Sequence, residues 1–168
     1  MSSSRNLLNR PIAGPPLEIP VVTRPDRQGM TFERRQWQVT PAAPYFNARR
    51  AFLTNGWDIS YAETILGMVE HYGLGEIVGE ATAGTNGVIN PFRLPGGFEI
   101  TWTGLRVLKH DGSPLFGVGV LPTIPEPLTK AGITAGRDEV LERAVQAVSV
   151  PRKLPSSDPT PRPAAPPQ

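Results

Sequence analysis

The chain has 168 residues, room for one domain of ordinary size, with a net charge of +2 and no cysteine, which removes disulfides, thiol catalysis and cysteine-ligated metals. Its 20 prolines are segregated, seven in residues 1–44, seven in 151–168 and six in between, which excludes a uniformly disordered or collagen-like chain. Two histidines without a carboxylate cluster argue against a metal site. No apolar run approaches the ~18 residues of a membrane helix, and the amino end carries no apolar signal region.

The composition divides the chain into a Pro-rich, partly extended lead (1–44), a core (45–150) and a Pro-rich tail (151–168) too poor in apolar residues to offset ordering entropy. Charge follows the same division. Residues 1–50 carry eight Arg against three acids, whereas residues 51–150 carry six bases against eleven acids. The Arg34-Arg35 and Arg49-Arg50 pairs lack the long basic run or interleaved aromatics of a nucleic-acid site, so they read as solvated strand edges or partners of the acidic core. The tail's Pro163-Ala164-Ala165-Pro166 has the form of a PxxP ligand but reads as disordered linker.

Within the core, Ala51-Phe52-Leu53-Thr54 is an apolar run closed by Asn55-Gly56, the signature of a buried strand entering a turn. Tyr61, Ile65, Met68, Val69 and Tyr72 then recur at helical spacing. Ser60 stands as N-cap, and Glu63 three residues on completes a capping box. Gly73-Leu74-Gly75 stops the helix, and Glu76 to Glu80 predicts a second strand parallel to the first. After a Gly-rich loop, Ala81 to Gly87, the chain turns antiparallel. Phe92-Arg93-Leu94, the turn Pro95-Gly96-Gly97 and the run Phe98 to Leu108 predict a hairpin. His110-Asp111-Gly112-Ser113 turns the chain toward a strand at Phe116 to Val120. A last helix from Arg137 carries Val140, Leu141, Ala144, Val145 and Val148 on its apolar stripe, with Asp138-Glu139 at its positive end. The fold class is α/β: a strand-helix-strand unit plus antiparallel hairpins.

A serine between a strand end and a helix start has two readings. It can cap the helix, or it can act as a nucleophile, because the unpaired first-turn amides stabilise an oxyanion formed on attack. Ser60 occupies that place, with the Tyr61 N–H as one natural donor.

The neighbouring motifs favour the second reading. Leu53-Thr54-Asn55-Gly56 followed by Ser60-Tyr61-Ala62-Glu63, then Val78-Gly79-Glu80-Ala81-Thr82-Ala83-Gly84, resembles the catalytic region of the C-terminal processing (tail-specific) serine peptidases. Leu94-Pro95-Gly96-Gly97, Asp111-Gly112-Ser113 and Gly117-Val118-Gly119-Val120-Leu121-Pro122-Thr123-Ile124 resemble later landmarks of that family in the same order. The resemblance spans Tyr45 to Val148. It implies a partial crotonase/Clp-like catalytic core, Ser60 as acylating nucleophile, the Tyr61 N–H as oxyanion donor, a structural Glu63, no cofactor, and a peptide or unfolded protein as substrate. For a full-length form it implies a periplasmic or extracytoplasmic location.

The general base departs from the family pattern. Many members place Lys after the Thr-x-Gly, where this chain has Thr85. A neutral hydroxyl of very high pKa cannot take the serine proton near pH 7. The tricorn-like branch takes its base from an earlier His supported by a later Glu; here no His precedes His71, and Phe116 stands roughly at the Glu's place. His71 lies 11 residues beyond Ser60 on the same helix, ~16 Å away at 1.5 Å per residue. His110 sits in a turn and would serve only if that turn folded over Ser60. The resemblance therefore implies the C-terminal part of a larger peptidase, whose partner is the missing N-terminal half or a second copy. The alternative is a non-catalytic peptide-binding module that keeps the fold. An acyl-thioester enzyme of the same superfamily would need motifs absent here.

Overall fold

A computed structural model describes residues 10–22, 29–46 and 48–149 of the protein; the predicted tail, 151–168, lies outside them. The lead holds four strands: β1 (Ile12–Ala13), β2 (Leu17–Val22), β3 (Met30–Arg35) and β4 (Gln38–Val39). β1 pairs antiparallel with β4, and β2 pairs antiparallel with β3 over six residues. Of the Arg pairs, Arg34 and Arg35 stand beside acids of the lead rather than of the acidic core. Arg35 forms an exposed ion pair with Glu33, and Arg34 stands opposite Glu18 in the β2–β3 register.

The predicted strand-helix-strand unit is present as β5 (Ala51–Thr54), α1 (Tyr61–Tyr72) and β6 (Glu76–Gly79), with β5 and β6 parallel. α1 ends at Gly73 in the left-handed conformation, and the Leu74 N–H closes on the Val69 carbonyl at 3.1 Å. The predicted hairpin is β7 (Ile89–Arg93) with β8 (Glu99–Thr103), closed by the Leu94 N–H on the Phe98 carbonyl. The long run that follows bends at Gly104 and continues as β9 (Arg106–Val107), which pairs with the start of β2 and so joins lead to core. β10 (Ile124–Pro125) adds to β6, giving the parallel order β10-β6-β5. Two helices close the described chain: α2 (Lys130–Thr134), which the sequence pattern did not announce, and α3 (Glu139–Ser149).

β6 runs through the centre of the packing. Ile77 and Val78 are both 0 % exposed and point to opposite sides, as a strand's alternation requires. Ile77 packs with Leu66 and Val69 of α1, Val107, Leu115 and Val120; Val78 packs with Val140 and Ala144 of α3. Burying each such side chain contributes ~1.5–3 kcal/mol.

Three predicted details differ. Tyr61 leaves the apolar stripe and is 68 % exposed, while Leu66, outside the predicted stripe, is buried. On α3, Leu141 and Val145 face outward, leaving Val140 and Ala144 as the buried contacts. Phe116 to Val120 is a turn rather than a strand: Gly117 and Gly119 have φ of +72° and +73°, and the Val118 and Gly119 N–H groups both donate to the Leu115 carbonyl. Positive φ at two positions in three breaks an extended run.

Candidate active site

The chain leaves β5 through a turn built by its own side chains. Thr54, 2 % exposed, donates its hydroxyl to the Glu80 carbonyl and ties the ends of β5 and β6 together. Asn55 Oδ1 accepts the Trp57 N–H at 2.8 Å, and Asp58 Oδ2 accepts the Asn55 N–H at 2.8 Å. Asx turns of this kind reverse the chain within four residues, so Ser60 is presented at the strand's carboxyl end as α1 begins.

Ser60 does not cap that helix with its side chain. Its hydroxyl makes no cap hydrogen bond, and its backbone lies at φ +54°, ψ −114°; among the described residues it is the non-glycine with positive φ. A capping serine takes an extended conformation and bonds a first-turn amide. The observed dihedrals lie outside the left-handed helical well and cost ~1–3 kcal/mol. Sharp strand-to-helix turns that lift a nucleophilic serine out of the backbone have this character. The helical ladder opens with the Ala62 N–H on the Ile59 carbonyl and the Thr64 N–H on the Ser60 carbonyl, both 3.2 Å, and among the described residues the Tyr61 N–H has no acceptor. Ser60 Oγ and the Tyr61 N–H thus stand together at the positive end of a 12-residue helix. The exposed rings of Trp57 and Tyr61 flank them in sequence.

The capping box predicted for Ser60 and Glu63 is not formed. Glu63 turns inward, 1 % exposed, and its Oε1 accepts the Thr82 hydroxyl at 2.7 Å and the Gly84 N–H at 2.6 Å, while its Oε2 accepts the Thr85 N–H at 3.0 Å. Three donors satisfy a carboxylate in a place where leaving it unpaired would be costly. Thr82 is bound in turn to Val120, accepting its N–H at 2.8 Å and donating its own N–H to the Val120 carbonyl. Gly84 carries φ +68° and sits so close to the 117–119 turn that a Cβ would meet the Gly117 and Val118 nitrogens at 2.9 Å. The 82–85 loop is therefore fixed from two sides.

Among the described residues, none of Thr85, His71, His110 and Phe116 forms a hydrogen bond with Ser60. Thr85 lies on the loop beside α1's first turn, tied through its backbone, and among the described residues nothing hydrogen-bonds the Ser60 hydroxyl. His71 and His110 meet each other instead, rings stacked 4.2 Å apart at the far end of α1, with His110 Nε2 3.0 Å from the Ala13 carbonyl. The turn carrying His110 folds over β1, not over Ser60. Phe116, 79 % exposed, precedes the Gly117 N–H that bonds the Gly84 carbonyl, so it stands at the loop's edge with no proton to exchange.

Residues 13–126 match the family model of peptidase family S41. The chain belongs to peptidase family S41, the C-terminal processing peptidases. Known structures carry the same fold. A putative peptidase from Parabacteroides merdae is 18 % identical and superposes with a TM-score of 0.69 over 88 % of this chain and 47 % of its own. Mature CPAF complexed with lactacystin is 23 % identical with a TM-score of 0.57, covering 65 % of this chain and 21 % of its own; mature CPAF alone gives 25 % and 0.53 over 57 % and 19 %. The chain thus spans under half the length of these structures. No curated protein sequence matches it.

Within this S41 fold, the sequence pattern missed the Glu63–Thr82–Val120 chain of hydrogen bonds. Its signal was present: an acid one turn into a helix whose neighbours Leu66, Gly67 and Met68 are all buried cannot face water.

Proposed function

We propose that this chain is the C-terminal part of a serine peptidase of family S41 that cleaves peptide bonds through an acyl intermediate on Ser60. The observation that carries the reading is the Ser60 backbone. A strained positive φ, a hydroxyl released from capping and an adjoining unpaired amide are what a nucleophile requires and what a helix cap does not. In the reaction, Ser60 Oγ attacks the scissile carbonyl while a base takes its proton. The Tyr61 N–H donates to the developing oxyanion, the base returns its proton to the departing amine, and water then hydrolyses the ester, releasing the acid and restoring the Ser60 hydroxyl.

The base comes from polypeptide outside the described residues, and the same polypeptide covers the surfaces left open around the site. Phe92, Leu94, Phe98, Ile100 and Trp102 fall on one face of the β7–β8 hairpin by its register, all between 38 % and 71 % exposed. A two-stranded ribbon with an uncovered apolar face is marginal in water. β5 ends its sheet among the described residues. Because Arg50 and Thr54 direct their carbonyls to β6, Ala51 and Leu53 turn theirs to the open edge. The occupant in this reading is the rest of the catalytic domain, since the chain spans 47 % of the Parabacteroides merdae structure and 21 % of the lactacystin-bound CPAF structure.

The unbonded Ser60 hydroxyl also favours a second reading, a peptide-binding module without turnover that uses the β5 edge. Hydrolysis of an unfolded protein separates the two when the chain is assayed with the remaining half of the domain added in trans. Turnover that disappears in Ser60→Ala supports the peptidase. Binding without turnover supports the module.

A further inference from the structure

We propose that His71 and His110 form an acid-sensitive latch: their stacked rings hold β1 against the end of α1 at neutral pH and release it when both rings are charged. The inference goes beyond the peptidase reading and stands whether or not Ser60 acylates. Both backbone groups of Ala13 are taken by side chains of the core. Its N–H donates to the hydroxyl of Tyr72, the last residue of α1, at 2.9 Å; its carbonyl lies 3.3 Å from that hydroxyl and 3.0 Å from His110 Nε2, on the turn after β9. A carbonyl only accepts, so Nε2 carries the hydrogen and the neutral His110 ring keeps its bare nitrogen at Nδ1. His71 lies face to face with His110, centroids 4.2 Å apart and planes 4° from parallel, while the Tyr72 ring meets both at its edge. One proton on the pair leaves the stack and the Nε2–H bond intact. A second sets like charges 4.2 Å apart, and repulsion at that range drives the turn from the helix. Ala13, held on one side by the helix and on the other by the turn, cannot follow both. The charged groups around the stack among the described residues are Glu70 of α1, ion-paired with Lys109 of the turn at 3.0 Å, Asp111 of the turn, and Arg34 of β3, whose guanidinium a Cβ on Gly112 would meet at 3.6 Å. Two carboxylates stand against two cations, so these surroundings leave the repulsion between the rings uncompensated. Acid opening stays local, because the adjoining stretch is fastened by the Leu108 N–H on the Pro16 carbonyl at 3.1 Å and by the β2–β9 pairing, neither of which titrates.

The test follows amide exchange at Ala13, Ile77 and Val78 in the full chain at about pH 7.5 and about pH 5, with intrinsic rates divided out and urea added below the unfolding transition. In wild type the protection of Ala13 should fall about tenfold between the two pH values. At the lower pH it should be insensitive to urea, whereas exchange at Ile77 and Val78 should accelerate, because only an opening that exposes the core has a large slope. His71 is exposed at the helix end, so His71→Gln and His71→Phe keep the core contacts, and each leaves a single titrating ring. In both variants the Ala13 protection should stay within about twofold across the same pH range. Ala13 protection that does not change with pH in wild type overturns the latch. So does Ala13 exchange that tracks Ile77 and Val78 in urea, and so does an acid fall of the wild-type size in either variant.

Discussion

Replacing Ser60 separates a strained nucleophile from a helix cap by stability alone, before any activity is measured. A capping serine changed to alanine costs ~1 kcal/mol because a first-turn amide loses its acceptor. Ser60 makes no such bond and is exposed, so Ser60→Ala should shift unfolding by less than about 0.5 kcal/mol. Ser60→Gly should stabilise. Glycine reaches φ +54° without a Cβ clash, recovering ~1–3 kcal/mol of strain, against ~0.4–1 kcal/mol of added freedom in the unfolded chain. A net gain of about 1 kcal/mol raises Tm by ~2–4 °C for a chain of this size. Urea unfolding of wild type and both variants, with equal slopes, measures the difference. A destabilisation of about 1 kcal/mol in Ser60→Ala, or of any size in Ser60→Gly, would refute the elbow and restore the cap.

Gly84→Ala places a Cβ 2.9 Å from two backbone nitrogens at positive φ, so it should cost ~1–3 kcal/mol in urea unfolding. Thr123 Oγ1 accepts the Ile77 N–H at 2.9 Å, and Thr123→Val should lose ~1–3 kcal/mol by leaving that amide unpaired beside a buried strand, whereas Thr123→Ser should not. Partial desolvation and then the stacked His110 hold the His71 pKa below its usual 6.5, with Asp111 and Glu70 pulling the other way; the Tyr72 ring and the Lys109–Glu70 ion pair complete its surroundings. A lowered folded-state pKa means that the neutral ring is favoured by folding. Its contribution is full above the unfolded value and is lost as pH falls through the folded one. Unfolding free energy should therefore drop between about pH 7.5 and about pH 5.5, and the drop should shrink in His71→Gln.

The helix and the parallel strands around Ser60 were legible because local signals suffice for them: Asn55-Gly56 ends β5, apolar spacing marks α1, and Gly73 stops it. What was hidden depends on contacts distant in sequence. A capping box and an inward Glu63 share one spacing, and only the Thr82 hydroxyl, 19 residues on, decides between them. An N-cap and a strained elbow likewise place the same serine before the same helix, and the difference is a backbone dihedral angle. The alternating apolar and glycine residues from Phe116 to Val120 mimic a strand, yet their glycines take positive φ to wrap Gly84 and Thr82. The solvent-facing hairpin obeyed the alternation rule; which of its faces is open is a matter of what else packs there.

Peptidase chemistry on this chain rests on Ser60 as the acylating nucleophile. Peptide mapping by mass spectrometry after fluorophosphonate treatment, with the rest of the catalytic domain present, tests it most directly. A single adduct on the peptide containing Ser60, absent in Ser60→Ala and in denatured protein, is the predicted result. An adduct on another residue, or none while the assembled domain hydrolyses substrate, would contradict it.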